Sequence, residues 1–256
     1  MENLNSDLVQ AATANFNLPH DVVTLPTGGI FYKNKQKTVK IGYLTASDEN
    51  LIVDAIQKKS GNNLVSNIIR NKMYEHDLKV GELLNADVEA IMIFLRNSSF
   101  GPEYNFNLED PKTGKYFEGK VFLDELNIKQ PKEKPSSDGT FEVKLPRSGA
   151  SVKIRPLSYV EMEEINSMID TYPLGRVAPS VSWTLNKQIV ELNGSSDRNQ
   201  ITTFIEQMPI MDSKFIKNFL SENVPSLDLT RQIQAPSGEL VTVKIAFGVE
   251  FFRPFF

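Results

Sequence analysis

The sequence predicts an α+β protein made by tandem duplication of one module, each copy a β-hairpin, amphipathic helices and a terminal β-hairpin. Three observations carry this: two strand–turn–strand openings share residues, a helix start follows each, and two late hairpins turn on matching Pro and Gly.

The openings are Val23-Thr-Leu-Pro26 followed by Gly28-Gly29, and Val143-Lys-Leu-Pro146 followed by Ser148-Gly149. Val39-Lys-Ile-Gly-Tyr-Leu-Thr45 and Val152-Lys-Ile-Arg-Pro-Leu-Ser158 come next, identical at Val, Lys, Ile and Leu. The offset between copies is 120 residues at the Leu-Pro pair and 113 at these second strands. The first copy therefore holds about seven extra residues, in its hairpin around Tyr32 to Lys37.

Thr45 and Ser158 sit where a helix begins, with Asp48 and Glu161 three residues on to satisfy first-turn donors; the second pair is a full capping box. Leu51, Ile52, Ala55 and Ile56, and in the second copy Met162, Ile165, Met168 and Ile169, recur at helical spacing. Further helices are expected at Leu64–Met73, Val181–Leu192 and Ile201–Met208. A late helix in each copy puts Ile91, Phe94 and Leu95, or Ile216, Phe219 and Leu220, on one stripe at an offset of 125 residues, with Asp212 as an N-cap. The same offset relates the turns at Pro111 and Pro236, each followed by an alternating strand, Tyr116–Phe122 and Leu240–Ala246.

Gln130–Gly139 is polar, charged and interrupted by Pro, which is linker composition. The expected organisation is an N-terminal segment 1–21, a first copy 22–129, a linker 130–140 and a second copy 141–256 that ends in an aromatic tail. Two separate domains and one pseudo-symmetric body are both compatible with that linker.

Composition narrows the chemistry. The chain of 256 residues has 40% hydrophobic and 23% charged residues, ordinary globular usage. Its 28 basic and 32 acidic side chains give a net charge of -4, too small and too mixed to predict a grip on nucleic acid or a membrane surface. No Cys is present, which excludes disulfides and thiolate metal ligands, and a reducing compartment fits. Met1–Asn15 lacks the basic start and apolar core of a signal peptide, and no apolar run approaches a membrane span, so a soluble cytoplasmic protein is expected.

The strongest catalytic templates are missing: there is no P-loop, dinucleotide glycine fingerprint, His-Glu-x-x-His or Gly-x-Ser-x-Gly. His20 lies ahead of the first copy and His76 sits among polar residues, so each reads as a surface imidazole. Glu161, Glu163 and Glu164 read as first-turn carboxylates complementing the helix dipole. Lys33, Lys35, Lys37 and Lys40 read as a solvated strand edge, and Gly28-Gly29 as a turn. No catalytic residue, cofactor, metal or small-molecule substrate is assigned.

The C-terminus differs, with Phe247, Phe251, Phe252, Phe255 and Phe256 all within ten residues. So many aromatics either cover the chain's own core or anchor a partner. For docking, the candidates are Phe251, Phe252, Arg253, Phe255 and Phe256.

These residues together resemble the baseplate hub proteins of T4-type contractile-tailed phages, a hub subunit and a related hub-assembly protein. The resemblance is carried by Leu25-Pro-Thr-Gly-Gly-Ile-Phe-Tyr32, Val39-Lys-Ile-Gly-Tyr-Leu-Thr-Ala-Ser-Asp-Glu49 and Phe247-Gly-Val-Glu-Phe-Phe-Arg-Pro254. It implies a structural component of the tail baseplate hub, a virion protein assembled in the host cytoplasm, with other baseplate or hub proteins as partners. It equally allows a hub assembly factor absent from the mature virion. Some relatives carry Cys-Pro-x-Cys-Gly in the hairpin turns, resembling half of a zinc ribbon. Here Asp110 and Thr113 stand at the two Cys positions and Ala235 precedes Pro236, so the terminal hairpins resemble a zinc ribbon without its cysteines. Strand pairing and packing are expected to hold them. A cell-wall glycan hydrolase would need two carboxylates set apart across a cleft, and no such pair stands out.

Overall fold

The computed structural model describes residues 19–57, 64–74, 77–247 and 249–252. Among these, seven α-helices and several small antiparallel sheets make a mixed α+β fold.

Two three-stranded sheets have the same construction. β1 (His20–Thr24) pairs with β2 (Thr38–Gly42), Val23 opposite Val39, and β3 (Met73–Tyr74) joins the other edge of β2. Val39 and Ile41 face inward while Lys40 faces out, the alternation a half-buried strand requires. In the second half β7 (Phe141–Lys144) pairs with β8 (Ser151–Ile154), Val143 opposite Val152, and β9 (Ile189–Leu192) completes the sheet. β1 starts at His20, so that residue belongs to the first sheet, where its ring meets Tyr74 edge-on.

The early helices, α1 (Ala46–Gln57) and α4 (Tyr159–Asp170), begin as their caps dictate. Ser158 Oγ accepts from Glu161 N at 3.2 Å, while Glu161 Oε2 accepts from Ser158 N at 2.9 Å. At α1 the Asp48 carboxylate accepts from Thr45 N and Thr45 Oγ1, and also holds Lys72 in a buried ion pair. Burial opposes the Asp48 charge, but Lys72 and Thr45 outweigh it and keep the carboxyl below its ordinary pKa.

α2 (Leu64–Lys72) and α5 (Ser180–Gln188) are each shorter than the spacing suggests. Ile189–Leu192, expected as the end of a helix, is strand β9, because Ile189 is buried opposite Ile154 and β-branched residues suit a pleated edge. α6 (Arg198–Glu206) is capped by Asp197, which accepts from Asn199 N at 2.8 Å.

The late helices, α3 (Asn85–Phe100) and α7 (Ile210–Asn223), carry the correspondence furthest. Asp212 is not the N-cap expected of it: Pro209 holds that position and Asp212 is the third helical residue, as Asp87 is in α3. Both aspartates are fully buried and turn back to the loop after Leu-Pro. Asp87 accepts from Thr27 N at 3.0 Å and Thr27 Oγ1 at 2.7 Å; Asp212 accepts from Arg147 N at 2.8 Å and Ser148 N at 2.9 Å.

The loop after Leu25-Pro26 has structural work. Gly28 and Gly29 have φ of 59° and 74°, and a side chain at Gly29 would overlap the Gln36 carbonyl. The turn they form delivers Tyr32 inward, where its hydroxyl donates to Asp87 and accepts from Leu84 N at 3.0 Å. Lys35 is exposed, as expected, and its ammonium donates to Ser137 O at 2.7 Å and Ile30 O at 3.0 Å. This loop thereby clasps the linker, with Phe31 packed on Phe141 of β7.

Two hydrophobic clusters fill the halves, one around Ile41, Ile69, Ile91 and Leu95, the other around Ile154, Ile189, Ile201 and Ile216. Phe31 and Val224 pack against both. β6 (Ile128–Lys129) pairs with β10 (Ser226–Leu227), and Glu133 N donates to Asn223 Oδ1 at 2.7 Å, so the linker region is tied across the halves.

The late hairpins are β4 (Glu103–Glu109) with β5 (Tyr116–Phe122), and β11 (Thr230–Gln234) with β12 (Leu240–Lys244). They pack on each other at Gly119, where an added Cβ would lie 2.8 Å from Leu108 Cδ1 and 3.0 Å from Ile233 Cδ1.

Candidate functional site

The aromatic C-terminal segment is the candidate that most depends on where its side chains go. Residues Val249–Phe252 form a 3₁₀ turn packed against α1. Phe251 and Phe252 are 0% and 1% exposed. Phe251 stacks on Tyr104 at 5.6 Å between ring centroids and meets Phe247 at 4.7 Å, while Phe252 closes the space between α1 and the end of α3. Named above as docking candidates, these two are covered by their own chain, packed among Phe100, Tyr104 and Phe247 at the edge of the first core. Arg253, Phe255 and Phe256 lie outside the described residues.

Arg96 holds this arrangement from the other side. Its guanidinium lies 4.8 Å from the Tyr104 ring centroid and 5.9 Å from that of Phe251, and it donates to Gly101 O at 2.9 Å. Among the described residues its Nε has no hydrogen-bond partner. Burial pulls its pKa down, yet an arginine keeps its charge, and the Gly101 carbonyl and the two rings compensate it. The sequence marks Arg96 as one more helical cation; only the fold shows it under an aromatic lid.

The hairpin turns meet at Asp110. Its carboxylate, 2% exposed, accepts from Lys112 N at 2.9 Å and Thr113 N at 3.4 Å within its own turn. It also accepts from Ser237 N at 3.1 Å and Ser237 Oγ at 2.7 Å in the other hairpin. Zinc does not fit: no thiolate is present, Ala235 offers no ligand atom, and these hydrogen bonds occupy the Asp110 oxygens. To the strand pairing and packing expected of the hairpins the fold adds this carboxylate bridge between their turns.

The acidic residues of α4 act as ties rather than as a catalytic cluster. Glu161 pairs with Arg155 at 2.5 Å, Glu164 with Lys187 at 2.8 Å, and Glu163 accepts from Ser66 of α2 across the halves. Near them Glu89 of α3 is buried and accepts from Asn85; burial pushes its carboxyl up to about 7 against the help of Asn85 and the charge of Lys244. Glu163 and Glu89 both face Tyr159, whose hydroxyl is pushed up by burial and by those charges. No described group of three or more His, Asp or Glu side chains could hold a metal ion, and His76 lies outside the described residues.

Among the described residues, an open groove of about 780 Å³ lies between α4, α5 and α7. Leu157, Ile165, Leu185 and Val224 line its floor, Val181 and Ile210 stand exposed at its rim, and Lys214 and Lys217 supply its charge. Among the described residues its lining contains no carboxylate. The individual side chains are visible in the sequence, but not the groove, which forms only when α7 comes to lie beside the early helix of the second half. Such a surface suits protein contact rather than chemistry.

No helix among the described residues is long and apolar enough to cross a membrane. A search of curated proteins and a search of solved structures each return no match to the chain. A family profile described as T4 bacteriophage base plate protein matches residues 29–253, spanning both halves, the clasping loop and the C-terminal 3₁₀ turn. The chain therefore belongs to the T4 bacteriophage base plate protein family.

Proposed function

We propose that the chain is a structural component of the baseplate hub of a contractile phage tail, acting through protein–protein contacts and carrying out no catalysis. The family match along nearly the whole chain carries this reading. It is supported by an apolar surface groove, and by carboxylates that serve as caps and ties.

Tandem duplication is part of the proposal. Its support is the shared strand order of the two sheets, the buried aspartate at the third position of each late helix, and the paired late hairpins. Two related modules with different loops offer two distinct faces on one chain. Docking through the aromatic end falls to Arg253, Phe255 and Phe256, with Phe251 and Phe252 as their fixed base.

Quantitative mass spectrometry of purified mature tails tests the reading. Stoichiometric presence is expected. Presence in assembly intermediates but not in mature tails would make the chain a hub assembly factor, and absence from both would overturn a baseplate role.

A further inference from the structure

In the first half, the cleft between α1 and the end of α3 is plugged. Phe252 sits in it beside Leu44, Ile52 and Phe100, leaving a cavity of only about 200 Å³. The offsets of 113 and 125 residues that relate Thr45 to Ser158 and Asp87 to Asp212 carry five of the seven wall positions into a second-half groove. Leu44, Glu49 and Ile52 become Leu157, Met162 and Ile165; Ser99 and Phe100 become Val224 and Pro225. All five of these second-half residues line the groove of about 780 Å³. One cleft thus occurs twice, filled by an aromatic turn in one half and open among the described residues in the other.

The open copy is the more apolar of the two, since Met162 and Val224 replace Glu49 and Ser99. Its rim adds Val181 at 62% and Ile210 at 74% exposure. Among the described residues its only charged lining groups are Lys214 and Lys217. The plug of the first half, Val249-Glu-Phe-Phe252, has a carboxylate residue next to its aromatic pair, and a cationic rim suits such a segment.

We propose that the groove between α4, α5 and α7 is the docking site for a short segment of a neighbouring baseplate chain, an aromatic pair flanked by an acidic residue. The segment seats there as Phe251 and Phe252 seat in the first half. This inference rests on the baseplate reading for the identity of the neighbour, and on the correspondence of the halves for the shape of the ligand.

The experiment places a photo-crosslinking amino acid at Val181 or Ile210 of the full-length chain during phage assembly and maps the captured peptide. A peptide of another baseplate protein containing adjacent aromatics and an Asp or Glu is the expected result. Capture of a second copy of this chain, of its own residues 1–18, or of a peptide lacking aromatics would overturn the proposal. In parallel, Ile210→Asp and Lys214→Glu/Lys217→Glu, all surface changes, should leave the thermal midpoint unchanged and lower incorporation into baseplates at least tenfold. Wild-type incorporation by these folded variants defeats the docking site while the baseplate reading stands. A wild-type chain absent from both tails and intermediates defeats the baseplate reading itself.

Discussion

Replacing Glu89 by Gln removes a buried charge while keeping the oxygen that accepts from Asn85. The carboxyl titrates near 4.5 when the chain is unfolded and at about 7 in the fold. Between those values the folded state holds a proton that the unfolded state has released, so stability falls as pH rises through this window. Above it the penalty is constant. The upward shift, at 1.36 kcal/mol for each pKa unit, amounts to ~3 kcal/mol. At pH 8 the Gln variant should therefore be more stable than the wild type by ~3 kcal/mol, a rise of about 8 °C in thermal midpoint for a chain this long. At pH 4.5 the two should coincide. Urea unfolding of both proteins at half-unit pH steps from 4.5 to 8 measures the difference, from which other groups such as Asp87, also pushed up by burial, cancel. A difference that stays flat with pH would show that Glu89 is ionised without cost, its charge met by Lys244.

Lys72→Met should cost ~3 kcal/mol at pH 7 by stranding the buried Asp48 charge, and the loss should shrink in acid as Asp48 takes up a proton, followed by urea unfolding against pH. Asp212→Ala strips the acceptor from two backbone donors and should cost ~2 kcal/mol by the same measurement; because the Asp212 pKa is lowered, its contribution in the wild type is lost as pH falls below about 4. Gly119→Ala should destabilise by ~2 kcal/mol through overlap with Leu108 and Ile233, and Ile233→Ala should recover part of that loss in the double variant. Phe252→Ala should cost ~4 kcal/mol, visible as a lower thermal midpoint, since the side chain is core.

Much of the fold could be read in the chain because its local signals agree with its long-range pairing. The capping box at Ser158 and Glu161, the alternation through Val39 and Ile41, and the Pro-Gly hairpin turns are each set by neighbours within a few residues. What escaped was decided at a distance. Ile189–Leu192 has apolar spacing that suits helix or strand, and only the open edge of β8 selects the strand. Asp212 looks like a cap from its own helix, yet its carboxylate serves a loop 64 and 65 residues earlier. Lys35 is exposed as its sequence suggests, yet its bond to the Ser137 carbonyl, 102 residues away, has no local sign. At the surface, the aromatic tail was recognisable as costly to expose, but its division into buried Phe251 and Phe252 depends on Tyr104 and Arg96, which local sequence cannot bring near. The groove lay further out of reach, being a space between helices with no residue motif of its own.

The return of Val243, Ile245, Phe251 and Phe252 into the first core has a consequence for how the protein is made. The N-terminal half leaves the ribosome first, yet its core stays incomplete until residue 252 has emerged. During that interval Ile52 and Leu44 lack the cover of Phe252, while the buried residues of the second cluster all lie within 141–220. Vectorial synthesis therefore favours the later half folding before the earlier one, with the turn Val249–Phe252 acting as the closing step of the first core. A translation arrest short of that turn would release a chain whose second half is finished and whose first half is adhesive.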